Sequence, residues 1–217
     1  MELQEVLENR HSVRKYTDED VPDEALIEMV KAARLAPSGH NIQNWHFVII
    51  KNKELIAKVM DTIKGSNEKI AQMMEKTSPE SAETFRKGYS YVTRFAGRAP
   101  ALAVVFTTEY RPLGYNECVV SGIDTVLVDD PRKSPSMQGL GAGIENFLLK
   151  ATELGYGACW ISSPNYAADD IAELLGSEIG FDRPDWFMAA ILSIGVPRGP
   201  QIATKRKNLE EFYTLVK

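Results

Sequence analysis

The order of apolar and polar residues predicts helices interleaved with short strands. Apolar residues recur at helical spacing between positions 26 and 33, which gives this stretch one apolar face. Pro22 suits the first position of the helix, and Pro37 ends it. A shorter amphipathic helix covers positions 3 to 9, so Arg10 emerges just past a helix end.

Three short apolar runs, at 47–50, 101–106 and 187–194, are typical of strands covered on both faces. The strongest helical stripe covers positions 140–154 and stops at Gly155, where a left-handed residue closes a helix. We expect this helix to be buried and central.

Two regions leave alternatives open. Apolar residues at helical spacing from 85 to 96 share their segment with Arg86, Lys87 and Arg94. This helix is either a core stripe with a solvated basic face or the wall of a pocket. The stretch from 111 to 136 contains several Pro and Gly residues and predicts an irregular excursion.

Composition narrows the class of protein. The chain has 217 residues, 44% of them hydrophobic, and this favours one domain spanning 1–217. A net charge of −5 argues against a nucleic-acid or anionic-membrane surface, although a local basic pocket is compatible with it. Cys118 and Cys159 lack disulfide-style spacing, which indicates inert thiols in a reducing compartment. With no membrane-length apolar stretch, we expect a cytoplasmic protein.

The first segment with candidate chemistry begins at Arg10. If it is extended, Arg10, Ser12 and Arg14 point one way, while His11 and Val13 point the other. Two guanidinium groups and a hydroxyl are suitable donors for a phosphate. Taken alone, the segment favours a solvated basic turn, with Arg and Ser facing water.

The second segment leaves the helix that Pro37 ends. Ser38, Gly39, Asn41 and Gln43 offer backbone N–H groups, a hydroxyl and two carboxamides in one tight loop. Such groups suit the ribityl chain or the uracil-like edge of a flavin. Turn chemistry alone explains Asn41 well and Gln43 poorly. Trp45, two residues after Gln43, begins a strand and is expected to pack in the core.

The two segments together resemble the flavin-binding signature of the nitroreductase family, which is Arg-x-Ser-x-Arg/Lys followed by Pro-Ser-x-x-Asn-x-Gln-Pro-Trp. The resemblance implies that Arg10 and Ser12 lie on the phosphate side of FMN and that Arg14 lies near the ring. It implies that the loop at 38–43 comes from the partner subunit. Asn44 stands where the family commonly has proline, and we expect this change to loosen the loop.

A second part of the resemblance lies near the C-terminus, and the whole resemblance covers about residues 2 to 212. Within that range, residues 64–136 match the family only in the order of their elements, and no motif is assigned to them. Residues 145–161 look like the family's dimer-core helix and its following strand, and Arg206 matches the closing phosphate ligand. The implied cofactor-binding residues are Arg10, His11, Ser12, Arg14, Pro37, Ser38, Gly39, Asn41, Gln43, Trp160, Ile161, Ser162, Lys205 and Arg206.

Other motifs are rejected. The glycine-rich stretch at 139–144 has Ile144 where the dinucleotide fingerprint needs glycine, so it indicates close helix packing. The three histidines lack partners at metal-ligand spacing, and no metal is predicted. No phosphate-binding P-loop or nucleophile elbow is present in the sequence.

The resemblance implies an α+β fold with a mainly antiparallel sheet covered by helices, in an obligate homodimer that holds two FMN molecules. In the implied ping-pong reaction, NAD(P)H reduces FMN and leaves, and a nitroaromatic, quinone or similar substrate is then reduced, with no catalytic side chain required.

A different flavin reaction, such as dehalogenation or dehydrogenation, is one alternative. A flavin-binding sensor or storage protein is another, and a plain interaction module would bind no flavin. The sequence shows no 2′-phosphate site that would choose NADPH over NADH.

Overall fold

The computed structural model describes residues 2–111, 113–123, 135–200 and 204–217. Its sheet has four strands, all paired antiparallel, in the order β1-β2-β4-β3. The strands are β1 Trp45–Ile50, β2 Ala101–Thr108, β3 Gly157–Ile161 and β4 Trp186–Gly195. The antiparallel sheet predicted from the family resemblance is confirmed.

The helices are α1 Leu3–Asn9, α2 Asp23–Arg34, α3 Lys53–Glu75, α4 Pro79–Ala96, α5 Tyr115–Val120, α6 Pro135–Glu153 and α7 Ala168–Ile179. Pro22 caps α2 and is not its first residue. The irregular excursion predicted at 111–136 contains α5 and the first two residues of α6, so the prediction is wrong for these parts. Positions 112 and 124–134 of that stretch lie outside the described residues.

Both faces of the sheet are covered, and β2 shows this most clearly. Leu102, Val104 and Phe106 belong to one core cluster with residues of α3, α4 and α7, whereas Ala103 and Val105 belong to a second cluster with residues of α2 and α6. Their alternation follows the two-residue period of a strand. At the edge of the sheet, β1 is only partly covered, and the expectation of full cover on both faces is wrong for its Phe47 and Ile49.

Helix α6 is the buried central helix that the apolar stripe predicts. Ile144 and Phe147 are fully buried, and Gly155 after the helix has a φ of 85°. A Cβ at Gly139 would lie 3.3 Å from both the Pro37 carbonyl oxygen and the Ser38 Cβ. The interpretation of the glycine run as close packing is therefore confirmed.

The N-terminal segment lies beside the sheet and continues its hydrogen bonding. Val13 N donates to Ala158 O at 3.0 Å, and Thr17 N donates to Val196 O at 2.9 Å. The Val13 side chain, 3% exposed, packs over Gly157, where an added Cβ would lie 2.6 Å from a Val13 methyl carbon. Glycine at this position allows the segment to approach β3.

This contact yields a stability prediction. Gly157→Ala forces Val13 and its segment away from β3, and overpacking of this kind costs about 1–3 kcal/mol. Urea denaturation should show a lower midpoint for this variant. The matched control is Gly88→Ala in α4, where an added Cβ would meet nothing within 4 Å; it should stabilise the helix by up to about 1 kcal/mol. Equal midpoints for Gly157→Ala and the wild type would contradict the close approach.

Candidate cofactor site

The segment that starts at Arg10 has the alternation expected of an extended chain. Val13 is buried, whereas Ser12 and Arg14 are exposed on the opposite side. Arg14 Nη1 donates to the Ser12 carbonyl oxygen at 3.3 Å, and its guanidinium carbon lies 5.9 Å from the centre of the Phe95 ring. His11 is half-buried, and its Nδ1 lies 2.6 Å from the Asn9 carbonyl oxygen. Ser12 and Arg14 therefore present donors on one side.

Arg10 follows the end of α1 and is tied to the central helix. Its backbone N–H donates to Val6 O at 2.9 Å, and its Nε lies 3.1 Å from Oε1 of Glu145 in α6. The Arg10 side chain is 20% exposed. The ion pair engages Nε, and the chemistry of the guanidinium leaves two terminal amino groups as further donors.

The loop after α2 has an unusual backbone. His40, Asn41 and Gln43 all have positive φ, at 49°, 56° and 51°, a region that non-glycine residues visit rarely. Ser38 Oγ accepts from Gln43 N at 3.0 Å, which closes the loop. The side chains of Asn41 and Gln43 are exposed. The left-handed backbone, rather than strand-like alternation, presents these two carboxamides.

Asn44 anchors the end of this loop. It is 2% exposed, and its Nδ2 donates to Thr107 Oγ1 at 3.1 Å and to Thr108 O at 2.6 Å. The Thr107 hydroxyl donates to the Asn44 carbonyl oxygen at 2.6 Å. The expectation that Asn44 loosens the loop is therefore wrong, because its side chain ties the loop to β2. Trp45 follows and is half-buried against α6, as expected of a packing residue.

Within one chain, both segments contact helix α6. Arg10 contacts Glu145, and the loop contacts Gly139 at Ser38. Six residues of α-helix place these positions about 9 Å apart along the axis and roughly a third of a turn apart around it. The two segments therefore contact the same helix at different positions along and around its axis.

The remaining implied residues lie at the end of β3 and in the tail. Ile161 is buried, Trp160 is 41% exposed, and Ser162 is exposed. Lys205 and Arg206 belong to residues 204–217, all of which are exposed. The structure shows no contact that brings Arg206 to Arg10 or Ser12 within the described parts of the chain. Convergence of these side chains on one phosphate stays a prediction.

Sequence reasoning missed a basic pocket beside Arg14. Its basic side chains are Arg14, Lys15, Lys53, Arg94, Arg98 and Arg198. They come from separate parts of the chain, so spacing gave no signal of their proximity. For α4 the core-stripe interpretation holds at the buried Ala96, yet its basic face is not simply solvated. Arg86 Nη2 donates hydrogen bonds to carboxylate oxygens of Glu68 and Glu75, each at 2.8 Å, and Arg94 lines the pocket.

The thiols and acids suggest no further chemistry. Burial raises the pKa of the Cys159 thiol, which opposes formation of a reactive thiolate. Among the residues that the structure describes, no group of three His, Cys, Asp or Glu side chains could hold a metal ion. Of the described helices, none is long and apolar enough to span a membrane.

Comparison with known proteins adds the family context. Residues 7–196 match the model of the Nitroreductase family. An iodotyrosine deiodinase from Hydra vulgaris is 29% identical over 207 residues, a match that covers 94% of this chain and 68% of the relative.

Two solved structures share the whole fold. A BluB-like flavoprotein from Clostridium difficile 630 is 45% identical, with a TM-score of 0.96 and full coverage of both chains. A nitroreductase with bound FMN from Desulfitobacterium hafniense DCB-2 is 20% identical, with a TM-score of 0.72, and the match covers 100% of this chain and 99% of that one. The flavin-binding signature, the α+β fold and the match to 7–196 agree, and the chain belongs to the nitroreductase family.

Proposed function

We propose that this protein is an FMN-dependent oxidoreductase that takes electrons from NAD(P)H and reduces a small oxidised substrate such as a nitroaromatic or a quinone. The observation that carries the proposal is the pair of donor segments, Arg10 to Arg14 and Ser38 to Gln43, within a nitroreductase-family chain. The 45% identity to a flavoprotein supports the same cofactor class.

The side chains present fit FMN. Arg10 and Ser12 can donate to a phosphate, with Arg206 as the further ligand that the family resemblance implies. The exposed carboxamides of Asn41 and Gln43 can pair with a ribityl chain or a ring edge. When bound, FMN would supply the two-electron chemistry, and the protein would supply position and charge.

Arg14 is the residue proposed to favour the reduced cofactor. It forms no ion pair among the described residues, so its charge is not neutralised by a neighbouring acid in this part of the chain. A cation near the N1–O2 edge of a flavin favours the anionic reduced ring. The guanidinium carbon of Arg14 lies 5.9 Å from the centre of the Phe95 ring, so the charged group itself lies over this aromatic side chain.

We propose a homodimer, as the family resemblance implies, and the exposed apolar surface of the single chain supports it. Leu3 and Leu35 are 69% and 76% exposed, and Phe212 and Val216 in the tail are 66% and 86% exposed. An interface that covers these four side chains would remove their apolar surface from water. We propose that chain 1–217 is one FMN-binding domain, and that each site takes Arg10 to Arg14 from one subunit and residues 38–43 from the other.

A complementation experiment tests this shared site. Arg10→Ala removes a phosphate donor, and Gln43→Gly removes a carboxamide while tolerating the positive φ. Each change should weaken FMN binding about tenfold or more. Mixed dimers with one change in each chain should retain about half of the wild-type flavin, because one of their two sites combines unaltered segments.

The control reverses the arrangement. A chain with both changes, paired with a wild-type chain, has one altered segment in each shared site and should bind no flavin at the same FMN concentration. Differently tagged chains allow purification of each mixed dimer, and absorbance gives its flavin content. Flavin in this control and none in the first mixture would place each site within one chain. A protein that stays monomeric when loaded with FMN would also contradict the shared site.

Reductive dehalogenation is a second candidate reaction. It is favoured by the match to the Hydra protein, because that relative is an iodotyrosine deiodinase and the match covers 94% of this chain. Both reactions would use the same flavin contacts. Only assays with different substrates can therefore distinguish dehalogenation from nitro or quinone reduction.

The kinetic prediction distinguishes these reactions from a non-catalytic role. With FMN bound, NAD(P)H oxidation should depend on a nitroaromatic or quinone, and double-reciprocal plots should be parallel because donor and acceptor exclude each other. Iodide release from iodotyrosine, with little nitro reduction, would favour the dehalogenase. A flavin-loaded protein that oxidises no NAD(P)H with any acceptor would be a sensor or storage protein.

A further inference from the structure

The basic pocket is a cavity of about 760 Å³ that lies beside the donor segment Arg10 to Arg14. It is formed by residues 14–18, the first residues of α3, the end of α4 and Arg198. Arg14 belongs both to this pocket and to the proposed flavin contacts. The pocket therefore opens next to the place proposed for the flavin ring.

The cations of this pocket are not neutralised by the described parts of the protein. Arg14, Lys15, Lys53, Arg94 and Arg98 take part in no ion pair there. Arg198 lies 3.7 Å from Asp18, but the Asp18 side chain is 97% exposed, and among the described residues it is the only acid in the pocket lining.

The contrast with the rest of the surface is informative. The chain carries a net charge of −5, and several lysines elsewhere pair with acids: Lys51 with Asp20 and Asp23, and Lys58 with Glu178. Grouped cations repel one another and attract anions into a cleft. The ligand that suits this pocket is therefore an anion with more than one negative charge.

Aromatic side chains make the pocket suitable for a nucleotide. Tyr91 is 51% exposed, and its ring lies 5.3 Å from the Phe95 ring at an angle of 56°. An exposed aromatic face can stack on a purine base. Cations beside it then fit the phosphates of the same nucleotide.

We propose that the basic pocket binds the adenosine 2′-phosphate end of NADPH, an inference that rests on the proposed oxidoreductase function and makes NADPH the preferred electron donor. NADH and NADPH share the pyrophosphate, and only NADPH adds a 2′-phosphate, with a charge of about −1.5 to −2 at neutral pH. Arg94 and Arg98, both exposed near the end of α4, are the proposed partners of that phosphate.

The test uses the flavin-loaded protein and the probe 2′,5′-ADP, which carries the 2′-phosphate, with 5′-AMP for comparison. By calorimetry, 2′,5′-ADP should bind the wild type at least about tenfold more tightly than 5′-AMP. Arg94→Gln and Arg98→Gln should each weaken 2′,5′-ADP binding about tenfold, the loss of one charge-assisted contact. The same variants should raise the KM for NADPH and leave the KM for NADH unchanged.

Lys87→Gln is the matched control because it removes one positive charge from the same helix. The Lys87 side chain is 74% exposed and lies 3.4 Å from Glu83, outside the pocket lining. It should change neither 2′,5′-ADP binding nor either KM. Equal losses for Lys87→Gln and Arg98→Gln would overturn the proposal, because they would indicate a general charge effect.

Other outcomes separate this proposal from the function on which it rests. Equal binding of 2′,5′-ADP, 5′-AMP and inorganic phosphate would overturn the nucleotide assignment. Loss of FMN from the Arg98→Gln variant would also overturn the nucleotide assignment, because it would indicate that the pocket binds FMN. If 2′,5′-ADP binds in an Arg98-dependent way but NADPH is not oxidised, the pocket assignment stands and the proposed oxidoreductase function fails.

Discussion

The burial of helix α6 between the sheet and α2 is the constraint on which the rest of the structure depends. The helix can approach closely because small residues meet on both sides of it: Gly143 faces the end of α2 at Ala33, and Ala103 and Ala190 lie on the adjoining face of the sheet. A helix with apolar residues on most of its surface is stable only when it is enclosed. Once enclosed, it fixes the loop through Gly139 and Arg10 through Glu145.

This arrangement explains how a loop with costly backbone geometry is maintained. Three residues in the left-handed region, each of them non-glycine, carry a conformational penalty of about 1–2 kcal/mol per residue. The Ser38 hydroxyl closes the loop at Gln43, and Asn44 fixes its end to Thr107 in β2. The surrounding packing therefore offsets the local strain, as is common at ligand sites.

The sequence predicted the elements whose signal is local and failed where the cause lies in distant residues. Apolar patterns in single continuous stretches identified α6 and the strands β1, β2 and β4, whereas β3 was expected only from the family resemblance. Asn44 was misjudged because its partner, Thr107, is 63 positions away. The basic pocket gave no signal for the same reason, since Arg14, Lys53 and Arg98 meet only in the folded chain. Whole-chain charge, at −5, has the opposite sign to that pocket.

Helix α4 carries paired charges near one end and, near the other end, charges that we propose bind a ligand. Near its start, Arg86 bonds Glu68 and Glu75 of α3, and together with Tyr89 it lowers the pKa of the Glu68 carboxyl to about 2. Near its end, Arg94 has no acidic partner among the described residues and faces the pocket. Paired charges join α3 to α4, whereas unpaired charges keep their capacity to bind a ligand. Function resides in sites placed on a shared fold, and in α4 the paired and the unpaired charges lie on separate parts of one helix.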